Sequence, residues 1–172
     1  MQVFLTGMPG SGKSTLGRAL SDLLKLRFFD LDNLITSLEG SGIPKIIAEQ
    51  GEDYFRRTEQ RALHHLLTNE SNYLLACGGG TPCFFDNQDR MLARGLVVFL
   101  DVPLNTITER LQLAGTSGRP LLGGTKSLEL KIKELYENRL HCYLQANRVY
   151  RGNSAEELAK LISGQSNCSG KY

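Results

Sequence analysis

An α/β fold on a parallel sheet is what this sequence predicts, and three observations predict it. Short apolar runs alternate with longer helical patterns from end to end, a glycine-rich phosphate loop follows the first run, and no repeat, low-complexity tract or linker precedes the C-terminal tail. With 172 residues, the chain is expected to form one domain over 1–172, because a domain usually takes roughly 100 to 200 residues.

Strands are expected over 3–6, 27–29, 73–76, 96–100 and 149–150, each about as long as a buried strand. A helix opens at Lys13, with Leu16, Leu20, Leu23 and Leu24 on one face, and Ser127 reads as the N-cap of a long helix running to about Asn147. Two segments break the alternation. Residues 31–67 read as helical but are interrupted at Gly40-Ser41-Gly42 and Gly51, too long for a simple crossover, so about 31–60 is expected to be an inserted substrate-binding region. Residues 112–125 hold four glycines and one proline around Arg119, their only charged residue, which suits a mobile flap. The tail over 163–172 is polar and is expected to fray.

Composition narrows the partners. With 41% hydrophobic and 22% charged residues the chain can fold around a core, and 20 basic against 18 acidic residues leave a formal charge of +2. That balance speaks against nucleic acid and anionic membranes and favours small-molecule ligands. No apolar run reaches the roughly 18 residues of a membrane span. Cys77, Cys83, Cys142 and Cys168 lack the paired spacing of a zinc site, so free thiols in a reducing cytoplasm are expected, and the chain is expected to act as a monomer.

The chemistry begins at Gly7-Met8-Pro9-Gly10-Ser11-Gly12-Lys13-Ser14, which fits G-x-x-x-x-G-K-[ST] after a strand and before a helix. Curled backbone and a helix N-terminus present N–H groups to a β-phosphate, Lys13 adds charge, and Ser14 offers magnesium a hydroxyl. Asp30 and Asp32 follow the second strand; in extended backbone an i, i+2 pair points one way, toward the crevice at the sheet's carboxyl edge. One carboxylate could hold a magnesium water while the other takes a proton from a hydroxyl, or one could simply cap the next helix.

On a helix over 52–67 the apolar stripe runs through Phe55, Ala62, Leu63 and Leu66, with Glu59 inside it and Arg56 at its flank, while Arg57 faces water. The two charges form either a structural ion pair or a device that aims Arg56 at an anion. Arg139 occupies the same kind of position among Leu128, Ile132, Leu135, Tyr136 and Tyr143, and a buried guanidinium needs an internal carboxylate or an anionic ligand. Gly78-Gly79-Gly80, directly after the third strand, is either a tight turn or bare backbone for a ligand's hydroxyls. Arg110 reads as a solvated helix residue or a ligand contact, and Arg119 as a movable cation or a solvated one.

In order and spacing, the phosphate loop, Asp-x-Asp, Gly-Glu-Asp-Tyr-Phe-Arg-Arg-x-Glu, the glycine triplet, Gly-Arg-Pro-Leu-Leu and Asn-Arg resemble shikimate kinases over about residues 2–162. The resemblance implies a P-loop, nucleoside-monophosphate-kinase-like fold, a five-stranded parallel sheet of order 2-3-1-4-5 flanked by helices, and a lid near 112–124. It implies ATP-dependent phosphorylation of the 3-hydroxyl of shikimate, with Mg2+ and ATP. By motif position Asp32, Arg56, Gly78, Gly79, Gly80 and Arg139 would hold shikimate, Asp32 on the reacting hydroxyl and the two arginines on the carboxylate. Gly10, Ser11, Gly12, Lys13, Ser14, Thr15, Arg110 and Arg119 would hold ATP, with Arg110 against the adenine. Lys13 and Arg119 would stabilise the transferring group, and Ser14 and Asp30 would serve the metal. The chain departs from the family's Arg-x-Pro-x-Tyr at Arg139-Leu140-His141-Cys142-Tyr143, where His141 replaces proline and lets the helix continue, and it carries Cys77 before the glycines. Rivals are a gluconate or nucleoside-monophosphate kinase on the same fold, and a regulatory nucleotide-binding module that transfers nothing; Asp32, Lys13 and Arg119 argue against the last.

Overall fold

The computed structural model describes residues 1–114 and 127–164. Its strands are β1 (Gln2–Thr6), β2 (Arg27–Asp30), β3 (Tyr73–Ala76), β4 (Leu96–Leu100) and β5 (Arg148–Tyr150), all parallel, in the order β2-β3-β1-β4-β5. The helices are α1 (Lys13–Leu24), α2 (Leu31–Glu39), α3 (Ile43–Gln50), α4 (Glu52–Asn69), α5 (Asn87–Arg94), α6 (Leu104–Ala114), α7 (Leu128–Tyr143) and α8 (Ala155–Ile162), with a 3₁₀ turn at Thr81–Cys83.

The central strands are covered on both faces, which is why they read as continuous apolar runs. Phe4, Tyr73, Leu75 and Val97 point into a core shared with α2, α4 and α5, while Val3, Leu5, Leu74, Val98 and Leu100 point into one closed by α1 and α8. A third cluster joins Met8 and Phe99 to α6 and α7 through Ile107, Leu111, Ile132 and Tyr143. The strand order reverses around β1, so the phosphate loop hangs from its carboxyl end between the turns that follow β3 and β4, where open α/β sheets bind ligands. Among the described residues no helix is long and apolar enough to cross a membrane.

Three local expectations are corrected. Leu23 is 49% exposed, because α1 turns Gly17, Leu20 and Ser21 to the sheet and leaves Leu23 more than 100° from the middle of that face. The long helix stops at Tyr143 and not near Asn147: Leu144 caps it, and Asn147 accepts the Val97 N–H through Oδ1 as the chain enters β5. Asp30 and Asp32 are not an extended pair, since Asp30 accepts the N–H groups of Asp32 and Asn33 and thereby starts α2, placing Asp32 in its first turn. Of the lid expected over 112–124, residues 112–114 close α6; the remainder, with Arg119, lies outside the described residues, as do Cys168 and most of the expected tail.

Candidate active site

One cleft of about 1140 Å³ runs along the carboxyl edge of the sheet and is lined by the phosphate loop, Asp30, Asp32, Arg56, Glu59, the glycine triplet, Arg110 and Arg139. Every described residue assigned to the site from sequence borders it, Gly10 to Thr15 included.

At the donor end, Gly10 and Gly12 adopt φ of +82° and +91°, the left-handed region that glycine enters without a Cβ penalty. The resulting loop delivers the chain into α1, whose first N–H groups have no intrahelical acceptor. Lys13 Nζ donates to the Gly7 and Met8 carbonyls at 3.0 and 2.9 Å, which holds its charge against the loop. Burial lowers its pKa to about 8, against the pull of Asp32. The Ser11 hydroxyl is buried with no partner among the described residues, an unspent polar group in a loop shaped for phosphate oxygens. Arg110 Nη1 donates to the Gly10 and Ser11 carbonyls, both at 3.4 Å, so α6 lays this arginine over the loop beside Arg151–Asn153, which sequence reasoning did not assign to the site.

Ser14 and Asp30 meet between donor and acceptor. Ser14 Oγ donates to Asp30 Oδ2 at 2.5 Å, a hydroxyl and a carboxylate in contact, which is the oxygen chemistry a hard divalent cation takes at a phosphate loop. Among the described residues no three His, Cys, Asp or Glu side chains converge as a metal cage. Two protein oxygens fit a magnesium ion that keeps waters and shares phosphate oxygens.

At the acceptor end, α4 places Arg56 and Glu59 inside, 5% and 0% exposed. Arg56 pairs with Glu59 at 3.0 Å and with Glu52 at 3.0 Å, and its guanidinium lies over the rings of Phe84 and Phe55. Glu59 accepts a second bond from Thr81 Oγ1 at 2.6 Å. Thr81 was not singled out from sequence, although a carboxylate inside an apolar stripe requires more than one donor. The structural ion pair foreseen as one alternative for Arg56 is present, and the same residue lines the cleft. Arg139 differs: it is 7% exposed, lines the cleft, and has no carboxylate partner among the described residues.

The glycine triplet is dictated by space. A Cβ on Gly78 would stand 2.5 Å from Glu59 Oε1 and 3.2 Å from Asp32 Oδ1; on Gly79, 2.8 Å from Pro9 Cδ; on Gly80, 2.8 Å from Arg56 Nη1. Bare backbone is what lets the carboxylates, the arginine and the phosphate loop close on one turn. Water reaches Asp32 through the mouth of the cleft, yet protein surrounds it closely enough that desolvation, with repulsion from Glu59 and Asp30, lifts its pKa to about 6. Cys77 sits in the wall with its thiol pushed up by burial, so it stays neutral beside Lys13.

A phosphate-binding loop and an acidic group poised near neutrality face, in one cleft, two buried guanidinium groups, of which one is uncompensated. A sequence profile of the shikimate kinase family matches residues 9–164. The shikimate kinase of Persephonella marina is 41% identical over 165 residues, covering 95% of this chain and 97% of that one. The shikimate kinase of Clostridium botulinum is 40% identical over 157 residues, covering 90% and 89%. Among solved structures, shikimate kinase from Acinetobacter baumannii in complex with shikimate superposes with a TM-score of 0.88 at 31% identity, covering 96% of this chain and 94% of that one. Sequence, fold and cleft agree, and the chain belongs to the shikimate kinase family.

Proposed function

We propose that this protein transfers the γ-phosphoryl group of ATP to the 3-hydroxyl of shikimate, giving ADP and shikimate 3-phosphate. The observation that carries the acceptor assignment is Arg139, a buried guanidinium that faces the cleft without a carboxylate of its own. A small hydroxy-carboxylate satisfies it; a nucleoside monophosphate or an uncharged polyol does so less well.

In this reading Arg139 and Arg56 hold the acceptor's carboxylate, and the main chain of 78–80 approaches its hydroxyls. Asp32 takes the proton of the reacting hydroxyl as its oxygen bonds to the γ-phosphorus and the bond to the β–γ bridging oxygen breaks. Lys13 and the N–H groups of 10–15 follow the charge as it moves onto the leaving diphosphate. Ser14 and Asp30 would hold Mg2+, which when bound neutralises phosphate charge. Arg119 would add a second cation, and Arg110 would flank the base. Positioning and charge stabilisation carry such a transfer, since its transition state is loose.

The test is ADP release with shikimate, gluconate, AMP or no acceptor. Release should be fast only with shikimate, and Arg139→Ala should weaken shikimate binding by about 2 to 4 kcal/mol while sparing ATP. Equal release with gluconate, or parallel loss of both ligands in Arg139→Ala, would overturn the assignment.

A further inference from the structure

The glycine turn is fastened by a hydroxyl that the mechanism above leaves without a task. Tyr143 lies on α7 one turn beyond Arg139, is fully buried, and donates through its hydroxyl to the Gly79 carbonyl at 2.6 Å. The same hydroxyl lies 3.8 Å from Met8 Sδ in the phosphate loop, and the positive charge of Arg139 acts on it. Its ring stacks on Phe99 of β4, with centroids 4.9 Å apart and planes 20° from parallel, so the oxygen is held from behind by the sheet. Burial pushes the phenol's pKa up, which keeps it a donor wherever the protein is folded.

The Gly79 carbonyl and the Gly80 N–H belong to one planar, trans peptide group and point in opposite directions. Anchoring the carbonyl to α7 therefore aims the Gly80 N–H away from α7. Among the described residues no acceptor takes that N–H, and Gly80 lines the cleft. Three consecutive glycines are the least restrained backbone a chain can offer, so an orientation here has to be imposed from outside. Thr81 and Asn87 restrain the far end of the turn, through Thr81 Oγ1 on Glu59 and Asn87 Nδ2 on the Thr81 carbonyl at 3.0 Å. Tyr143 restrains the near end, where Gly79 also abuts Pro9 of the phosphate loop.

We propose that Tyr143 is a positioning residue for phosphoryl transfer: by holding the Gly79 carbonyl, its hydroxyl directs the Gly80 N–H toward the acceptor and keeps the acceptor turn in place against Arg139 and the phosphate loop. The proposal rests on the acceptor lying against 78–80, as inferred above.

The experiment compares Tyr143→Phe, Phe99→Leu and Arg139→Ala by calorimetric titration with shikimate and with ATP, by steady-state kinetics and by thermal melting. Tyr143→Phe keeps the ring and its stack and removes one O–H. It should raise the shikimate Kd and KM about tenfold, leave the ATP Kd within about twofold, and release more ADP per shikimate 3-phosphate formed, because a loosely held acceptor lets water compete. Phe99→Leu keeps the hydroxyl, so it should lower the melting temperature with shikimate affinity within about threefold. If Tyr143→Phe weakens ATP and shikimate alike, or leaves shikimate untouched while Arg139→Ala weakens it, the positioning role is wrong and the acceptor assignment stands. If neither Tyr143→Phe nor Arg139→Ala moves shikimate, the acceptor assignment itself falls, and this proposal with it.

Discussion

Asp32 is harder to ionise in the folded protein than in water, because desolvation and two neighbouring carboxylates lift its pKa from the ordinary 3.8 to about 6. Two consequences of opposite sign follow. For chemistry, the group must be deprotonated to accept a proton, so kcat/KM for shikimate should fall about tenfold per pH unit below about 6. For stability, the folded protein binds a proton more tightly than the unfolded chain, so the stabilising state is the protonated one. Its benefit is present at low pH and lost as pH rises from about 4 through about 6. Asp32→Asn removes the charge and keeps the shape. It should lose roughly 10² to 10⁴ in turnover, keep ATP affinity, and melt higher than the wild type at pH 7 to 8, with the gain gone near pH 4. A variant that melts lower at neutral pH, or retains near-normal turnover, would show that Asp32 is neither strained nor the base. The arginines differ as well: removing Arg56 strands Glu59, which is fully buried, so Arg56→Ala should damage the fold where Arg139→Ala does not.

Among the elements, α4 and the glycine turn form one unit, and a Cβ on Gly78 would stand only 2.5 Å from Glu59 Oε1 of α4. In Gly78→Ala the new methyl would have to displace Glu59, and Glu59 carries Arg56 with it. Shikimate affinity should fall at least tenfold in that variant while ATP binding persists, since the atoms nearest the new methyl are those of Glu59, Thr81 and Asp32, whereas a Cβ on Gly79 would meet Pro9 of the phosphate loop; titration with each ligand checks it. Much of this unit was legible in the sequence. Counting 100° per residue along α4 and α7 placed Arg56, Glu59 and Arg139 on inward faces because helical periodicity is local information. The same count failed for Leu23, where the helix turned Gly17 and Ser21 inward beside Leu20 and left Leu23 outside. It failed again at the end of α7, where the register of β5 on β4 decides the stop. The bond from Tyr143 to Gly79 joins residues 64 positions apart and has no local signature at all. Asp30 was foreseen either as a helix cap or as a site residue; it caps α2 and also lines the cleft, because a capping carboxylate has an oxygen left over for Ser14.

Burial is graded across the whole sheet. β1, β3 and β4 are almost entirely buried, whereas β5 pairs on one side only and exposes Arg148 and Val149. Native-state hydrogen exchange should be slowest in the three central strands and fastest in β5, and a uniform rate across all five would contradict the layered core. The fold class and the strand order were accessible because alternation and motif order survive in one dimension; the closeness of β1 and β3, 67 or more residues apart in sequence, is supplied by the topology alone. That pairing, Leu5 opposite Ala76, has a further consequence. The loop proposed to grip the donor and the turn proposed to receive the acceptor hang from neighbouring strands, so main-chain hydrogen bonds hold the roots of both at the roughly 4.8 Å pitch of any sheet. A lineage could therefore exchange one acceptor for another by altering the side chains of α2 to α4 and of α7, Arg139 among them, and inherit the same spacing of loop and turn each time.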